Sequence, residues 1–313
     1  MKRPYILLIG IAMVVLVVLS GVYLYSRGVH VVEPAGGRIK VLATFYPVYD
    51  FAANVGGNRT SLSLLVPETV DVHAFEPTPQ SIQEVASANV LIFSGAGLEP
   101  WIPQITAAAG NPGLVLVDSS QGIPLLPVPS QFQKGNRTAD PHIWLDPLLA
   151  KQQVTNILNG LVKADPNDRE YFTSNAEKYI AKLDVLNSEI SDVAAHAKTR
   201  YFVTFHEAFA YFARRYNLTQ ISIAGPFEEE PTPGDIGNVV AAINGYHLCY
   251  VGYESLENPS ISQSIAGQTH ATLILMDPIE GLSQSDQAAG KNYLTKMQDD
   301  LGSFKLALNS VGC

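Results

Sequence analysis

Cysteine is nearly missing from this 313-residue chain, with Cys249 and Cys313 as the whole set. They leave two readings: a disulfide tying the C-terminus down in an oxidising compartment, or two unpaired thiols. No cysteine lies in or just after the apolar stretch near the N-terminus, which excludes a lipid-modified cysteine there. Cations are also scarce, 20 Lys and Arg against 29 Asp and Glu, for a formal charge of −9. An acidic exterior argues against nucleic acid as a partner. The nucleotide and acyl-transfer signatures Gly-x-Gly-x-x-Gly, the phosphate loop with its lysine and Gly-x-Ser-x-Gly are absent from strand–turn–helix settings. His206-Glu207 begins like a zinc-protease helix, but position 210 is Ala and the motif fails. Glycine and proline are missing from Asn167 to Ala197, which permits one very long helix.

What the chain does contain begins with Lys2 and Arg3 ahead of an uncharged run from Tyr5 to Tyr25. Those 21 residues are long enough to cross a bilayer as a helix. Basic residues in front of the run favour a cytoplasmic start, which puts the remainder outside. A cleavable signal segment is the competing reading, although no Ala-x-Ala-like site follows Ser20. Residues 1–28 are therefore expected to anchor the protein in the cell membrane, with the binding part periplasmic or extracellular. Residues 29–38 are expected to form a linker. The glycosylation acceptors at Asn58, Asn136 and Asn217 agree with an outside location, each weakly.

From Ile39 onward, apolar strand-like runs alternate with helical patterns. Tyr171, Phe172, Ala176, Tyr179, Ile180, Leu183, Leu186, Ile190 and Val193 keep helical spacing within the glycine-free stretch. After it the pattern restarts: Val41 to Tyr46 matches Tyr201 to His206 at a constant offset of 160. The expected fold is α/β, with two doubly wound (β/α) lobes of mainly parallel strands joined by one long α-helix. The boundaries are 39–162 for the N-terminal lobe, 163–197 for the linking helix and 198–313 for the C-terminal lobe.

His73, His142 and His206 each sit in short segments at the ends of apolar runs, and Asp277 follows the run from Ala271 to Met276. Strand ends facing a cleft are where α/β proteins carry ligand groups. Three imidazoles and a carboxylate form a full shell for a zinc-like ion, with manganese as the alternative. Asp71, Asp146, Glu207 and Glu254 are candidates to orient the imidazoles. The other reading of this donor set is a zinc hydrolase with an open coordination position and Asp277 as its base. Ser94 to Gly97 reads as a tight turn that lets Leu98, Glu99 and Trp101 cap the cleft.

Six segments together resemble the zinc/manganese solute-binding proteins of metal-ion ABC importers. They are Thr44-Phe45-Tyr46-Pro47, Asp71 to Pro79, Asn89 to Trp101, Asp140 to Pro147, Thr204 to Phe212, and Asp277-Pro278-Ile279-Glu280-Gly281-Leu282. The resemblance covers about residues 40–285. It implies a two-lobed receptor whose lobes are bridged by a rigid helix, with the ion held by residues matching His73, His142, His206 and Asp277. A histidine at position 206 tilts the expectation toward Zn2+ over Mn2+. It also implies an ABC-importer permease as partner and no catalytic role; a monomer is expected, and its anchoring by an N-terminal helix departs from the many bacterial members that are lipoproteins or free in the periplasm. A metal-binding surface adhesin is a further alternative. The chain departs from many zinc members in one loop, since Gly122 to Thr138 contains no histidine.

Overall fold

The structure is a computed structural model that describes residues 37–133 and 137–312. The expected membrane span, the Asn136 acceptor and Cys313 lie outside the described residues. Cys249 is buried, and among the described residues no cysteine is free. No described helix is long and apolar enough to cross a membrane.

The first half alternates β1 (Ile39–Ala43), α1 (Tyr46–Gly56), β2 (Thr60–Leu64), α2 (Pro79–Ser87), β3 (Val90–Phe93), α3 (Ile102–Ala109) and β4 (Val115–Asp118). The four strands form one parallel sheet in the order β2-β1-β3-β4. Val41, Leu42 and Ala43 of β1 are all buried, as expected for a central strand covered on both faces. Edge strand β2 reads Thr-Ser-Leu-Ser-Leu and alternates instead. Helix α1 stops at Gly57, whose φ of 50° lies in the left-handed region. Thr78 and Ser81 cap α2 reciprocally, with Pro79 in the first turn.

Two helices link the halves. Helix α4 (Pro147–Ala164) is capped by Asp146, whose carboxylate accepts from the Leu148 N–H. A 3-10 turn at Pro166–Asp168 then precedes α5 (Arg169–Ala195). The helix expected over 163–197 is thus divided: Pro166 has no N–H to donate, and Asp165 caps the turn through Asn167. At 27 residues α5 is about 40 Å long. Its buried residues Phe172, Ala176, Tyr179, Leu183, Leu186, Ile190 and Ala194 advance by three or four and form one stripe.

The second half holds β5 (Tyr201–His206), α6 (Ala210–Arg215), β6 (Thr219–Ala224), α7 (Pro233–Tyr246), β7 (Tyr250–Tyr253), α8 (Ser260–Thr269), β8 (Thr272–Leu275), α9 (Gln284–Ala288) and α10 (Tyr293–Asn309). Strands β5 and β6 pair in parallel, as do β7 and β8. Strand β7 lies against β5 at Gly252, where an added Cβ would stand 2.7 Å from the Val203 carbonyl oxygen. Helix α10 has no counterpart in the sequence expectation. Its buried face includes Lys296 and Asp300 beside Tyr293, Met297, Leu301 and Phe304, so two charges interrupt the apolar periodicity.

One hydrophobic core runs through both halves. It joins β1, α1 and α4 through the α5 stripe to Phe202, Phe209, Phe212 and the apolar face of α10. Phe51 meets Tyr179 and Tyr293 edge-on, with centroids 5.9 and 4.8 Å away. Leu98 belongs to this core, and Trp101 packs on Phe75 in a smaller cluster under α2 and α3. Glu99 is buried as well, accepting from Thr44 Oγ1 at 2.6 Å and from the Ser94 and Gly95 N–H groups. Burial pushes its carboxyl up to about 7. These residues are interior supports, which corrects the expectation that they cap a cleft.

Candidate metal centre

Three of the four candidate segments follow the C-terminal end of a parallel strand. His206 is the last residue of β5, and His73 lies in the loop after β2. His142 comes between β4 and α4, directly before the 3-10 turn Ile143–Leu145. The segment Asp277 to Leu282 follows β8.

A single local device starts three of these segments. Asp71 accepts from the His73 N–H at 2.6 Å, Asp140 from the His142 N–H at 2.9 Å, and Asp277 from the Ile279 N–H at 2.9 Å. Each aspartate folds the chain two residues on, a turn that its short acceptor side chain favours. The aspartates therefore shape the loops while the groups that follow them face inward.

The structure brings the three histidines together. His142 Nε2 lies 3.3 Å from His73 Nε2 and 3.2 Å from His206 Nε2. The carboxylate among them is that of Glu280: its Oε1 is 3.0 Å from His73 Nε2, 3.3 Å from His142 Nε2 and 3.6 Å from His206 Nε2. Four ligands about 2.0–2.1 Å from a tetrahedral zinc ion stand about 3.3 Å apart, so the donor spacing fits such an ion. His142 and His206 are fully buried, and His73 and Glu280 almost so.

Asp277 is placed elsewhere. Lys296 Nζ donates to its Oδ2 at 2.9 Å, Ser255 Oγ donates to the same oxygen, and its Oδ1 holds the turn to Ile279. Among the described residues, it does not join the groups whose donor atoms lie within 4.8 Å of one another. The difference from the sequence expectation has a physical reason. A carboxylate beside Pro278 at the strand end is engaged by turn and cation, whereas the one three residues on is free to point inward. An acid three residues past the Asp-Pro corner was the available signal for Glu280.

Two acids fix imidazole orientation. Asp140 Oδ1 lies 2.8 Å from His142 Nδ1, and Glu254 Oε1 lies 2.9 Å from His206 Nδ1. Both contacts favour a proton on Nδ1 and leave Nε2 as the inward acceptor. Of the four orienting acids named from the sequence, Glu254 is the one that meets an imidazole. Asp71 binds backbone, Asp146 pairs with Arg215 at 2.7 Å, and Glu207 is half-buried. Asp140 was missed because it reads equally well as a turn residue, and it is both.

The electrostatics follow from this crowding. Burial alone would depress His206 and His142, but Glu254 beside the first, Asp140 beside the second and Glu280 beside both outweigh it, and both are raised. Burial works against ionisation of Glu280, yet the three imidazoles hold it well below the usual carboxylate range. Glu228, 3.6 Å from His206 Nδ1, is pushed up to about 9 by burial and by the neighbouring acids, Glu280 foremost.

A parallel α/β fold with a buried three-imidazole, one-carboxylate cluster at converging strand ends defines a metal-binding receptor of the solute-binding class. The chain belongs to the family described as zinc-uptake complex component A, periplasmic, which it matches over residues 41–307. It is 30% identical over 285 residues to the high-affinity zinc uptake system protein ZnuA of Bacillus subtilis, covering 88% of this chain and 89% of that protein. The crystal structure of the metal-dependent lipoprotein YcdH from Bacillus subtilis aligns with a TM-score of 0.77 at 30% identity, covering 87% of this chain and 100% of that one. Zn(II)-bound AdcA from Streptococcus pneumoniae aligns at the same TM-score and 26% identity, covering 88% of this chain. The present chain spans only 59% of that AdcA chain.

Proposed function

We propose that this protein captures a zinc ion outside the membrane through His73, His142, His206 and Glu280, and delivers it to the permease of an ABC importer. The observation that carries the reading is the placement of three Nε2 atoms and one carboxylate oxygen at the edge lengths of a zinc tetrahedron. Asp277, the carboxylate expected from sequence, serves in this reading as the anchor of the Glu280 loop. Imidazole-rich donors favour zinc over manganese, since carboxylate and water suit the harder ion.

The role is capture and not catalysis. A hydrolytic zinc site needs an open coordination position and a general base beside it. In this reading Glu280 takes the fourth position, and the base which that alternative requires, Asp277, is bound to Lys296. The receptor acts as a monomer with lobes 39–162 and 198–313, held at the outer face through residues 1–28. Zinc analysis of protein purified without added metal, followed by competitive titration with manganese, tests the reading. Tight, zinc-preferring binding that His206→Ala weakens by at least 100-fold is expected. Absence of binding, or an unchanged His206→Ala variant, overturns it.

A further inference from the structure

Lys296 is a fully buried ammonium on α10, far along the chain from the metal-binding histidines. Its Nζ lies 2.9 Å from Asp277 Oδ2 and 3.0 Å from Asp286 Oδ2. These two acids flank the segment that carries Glu280, so one cation joins both ends of the loop. Burying an ammonium is costly unless it is paired, and two carboxylates supply the pairing here. Asp300, one turn further along α10, accepts the Asp277 N–H at 2.9 Å.

Within the loop, almost every residue is held. Trp144 Nε1 donates to the Pro278 carbonyl at 2.7 Å. Leu282 N–H donates to the Glu68 carbonyl at 2.9 Å, and a Cβ on Gly281 would stand 2.0 Å from that same oxygen. Ile279 is fully buried and has a φ of 59°. A β-branched residue in the left-handed region is strained, and such backbone persists only where its surroundings over-determine it. Glu280 is the next residue. The strained step at Ile279 turns its side chain toward the imidazoles, and the bonds around Lys296 keep that step from relaxing.

We propose that Lys296 is the positioning residue for Glu280: by bridging Asp277 and Asp286 it holds the loop in the one conformation that delivers the carboxylate to the zinc ion. The inference rests on the reading of Glu280 as a zinc ligand. Lys296 touches no ion and contributes no donor. Its effect on zinc is wholly through the loop.

The test is a double-mutant cycle on zinc dissociation constants, with Lys296→Met, Glu280→Ala and the double variant of the full chain. Lys296→Met is expected to weaken zinc binding about 10- to 100-fold, the usual effect of removing a group that orients a metal ligand. In the Glu280→Ala background the same change is expected to have no further effect. Equal and additive effects in both backgrounds overturn the inference, because they show general structural damage. If Lys296→Met does not fold, Asp286→Asn, at a more exposed position, runs through the same cycle under the same criteria. If Glu280→Ala itself leaves affinity unchanged, the reading of Glu280 as ligand falls and takes the inference with it. If Glu280→Ala weakens binding and Lys296→Met does not, the inference alone falls.

Discussion

Protonation of individual side chains decides when this centre can accept a cation. His142 and His206 are raised above their ordinary value of 6.5, because Asp140, Glu254 and Glu280 outweigh burial. A ligating imidazole must present a free Nε2, so zinc competes with protons at these residues. Zinc affinity is therefore expected to rise with pH through 6.5 and to go on rising above it, with proton release on binding. Titration calorimetry across that range in two buffers of different ionisation enthalpy checks this; a pH-independent affinity with no proton release contradicts it. Stability of the metal-free protein runs the other way. Raised histidines stabilise the fold below 6.5 and lose that contribution as pH rises through their folded values. The depressed Glu280 stabilises it above 4.5 and loses its contribution as pH falls. This cluster thus favours the metal-free fold most between those two values.

Element packing decides whether His206 and Glu254 meet. His206 ends β5 and Glu254 follows β7, and these strands approach closely because Gly252 has no side chain. An added Cβ would press on the Val203 oxygen at 2.7 Å and on Thr204 Cα at 3.1 Å, both backbone atoms that cannot rotate away. Gly252→Ala is expected to destabilise the protein by about 1–3 kcal/mol, the usual cost of overpacking. It also parts the His206–Glu254 contact and so weakens zinc binding. Chemical denaturation and zinc titration of the one variant read both effects. An unchanged unfolding midpoint counts against the close approach of β5 and β7.

Across the whole molecule, the halves are fastened to each other around the site. Tyr211 of the second half accepts from the Leu126 N–H at 2.9 Å and donates to the Asp140 carbonyl at 2.8 Å. Arg215 reaches Asp146, and Trp144 of the first half reaches Pro278 of the second. The His142 segment, part of the first half by chain order, is thus held largely by the second. Tyr211→Phe leaves a part-buried N–H and a buried carbonyl each without this partner, at an expected cost of about 1–3 kcal/mol. Thermal unfolding of the variant measures it, and a loss below about 0.5 kcal/mol shows that the staple contributes little. The shared core through α5 opposes wide hinge motion for the same reason.

Much of this was written in the residues. Strand runs such as Val90 to Phe93 and Tyr201 to His206, and the capped helix starting at Pro79, were legible because local periodicity and caps act over a few residues. So was the histidine triplet, since imidazoles at strand ends have few uses in common. Helix α10 was not legible, because Lys296 and Asp300 occupy its buried face, and folding alone brings Asp277 and Asp286 to the lysine and the Asp277 N–H to Asp300. Nor was the choice between Asp277 and Glu280. Both acids lie in one short segment, and sequence assigns neither a direction. That direction is decided by a lysine 19 residues on from Asp277 and by a left-handed isoleucine, which are tertiary facts. The residue types and their order determined that three imidazoles and a carboxylate would meet; packing of α10 against the loop decided which carboxylate it was.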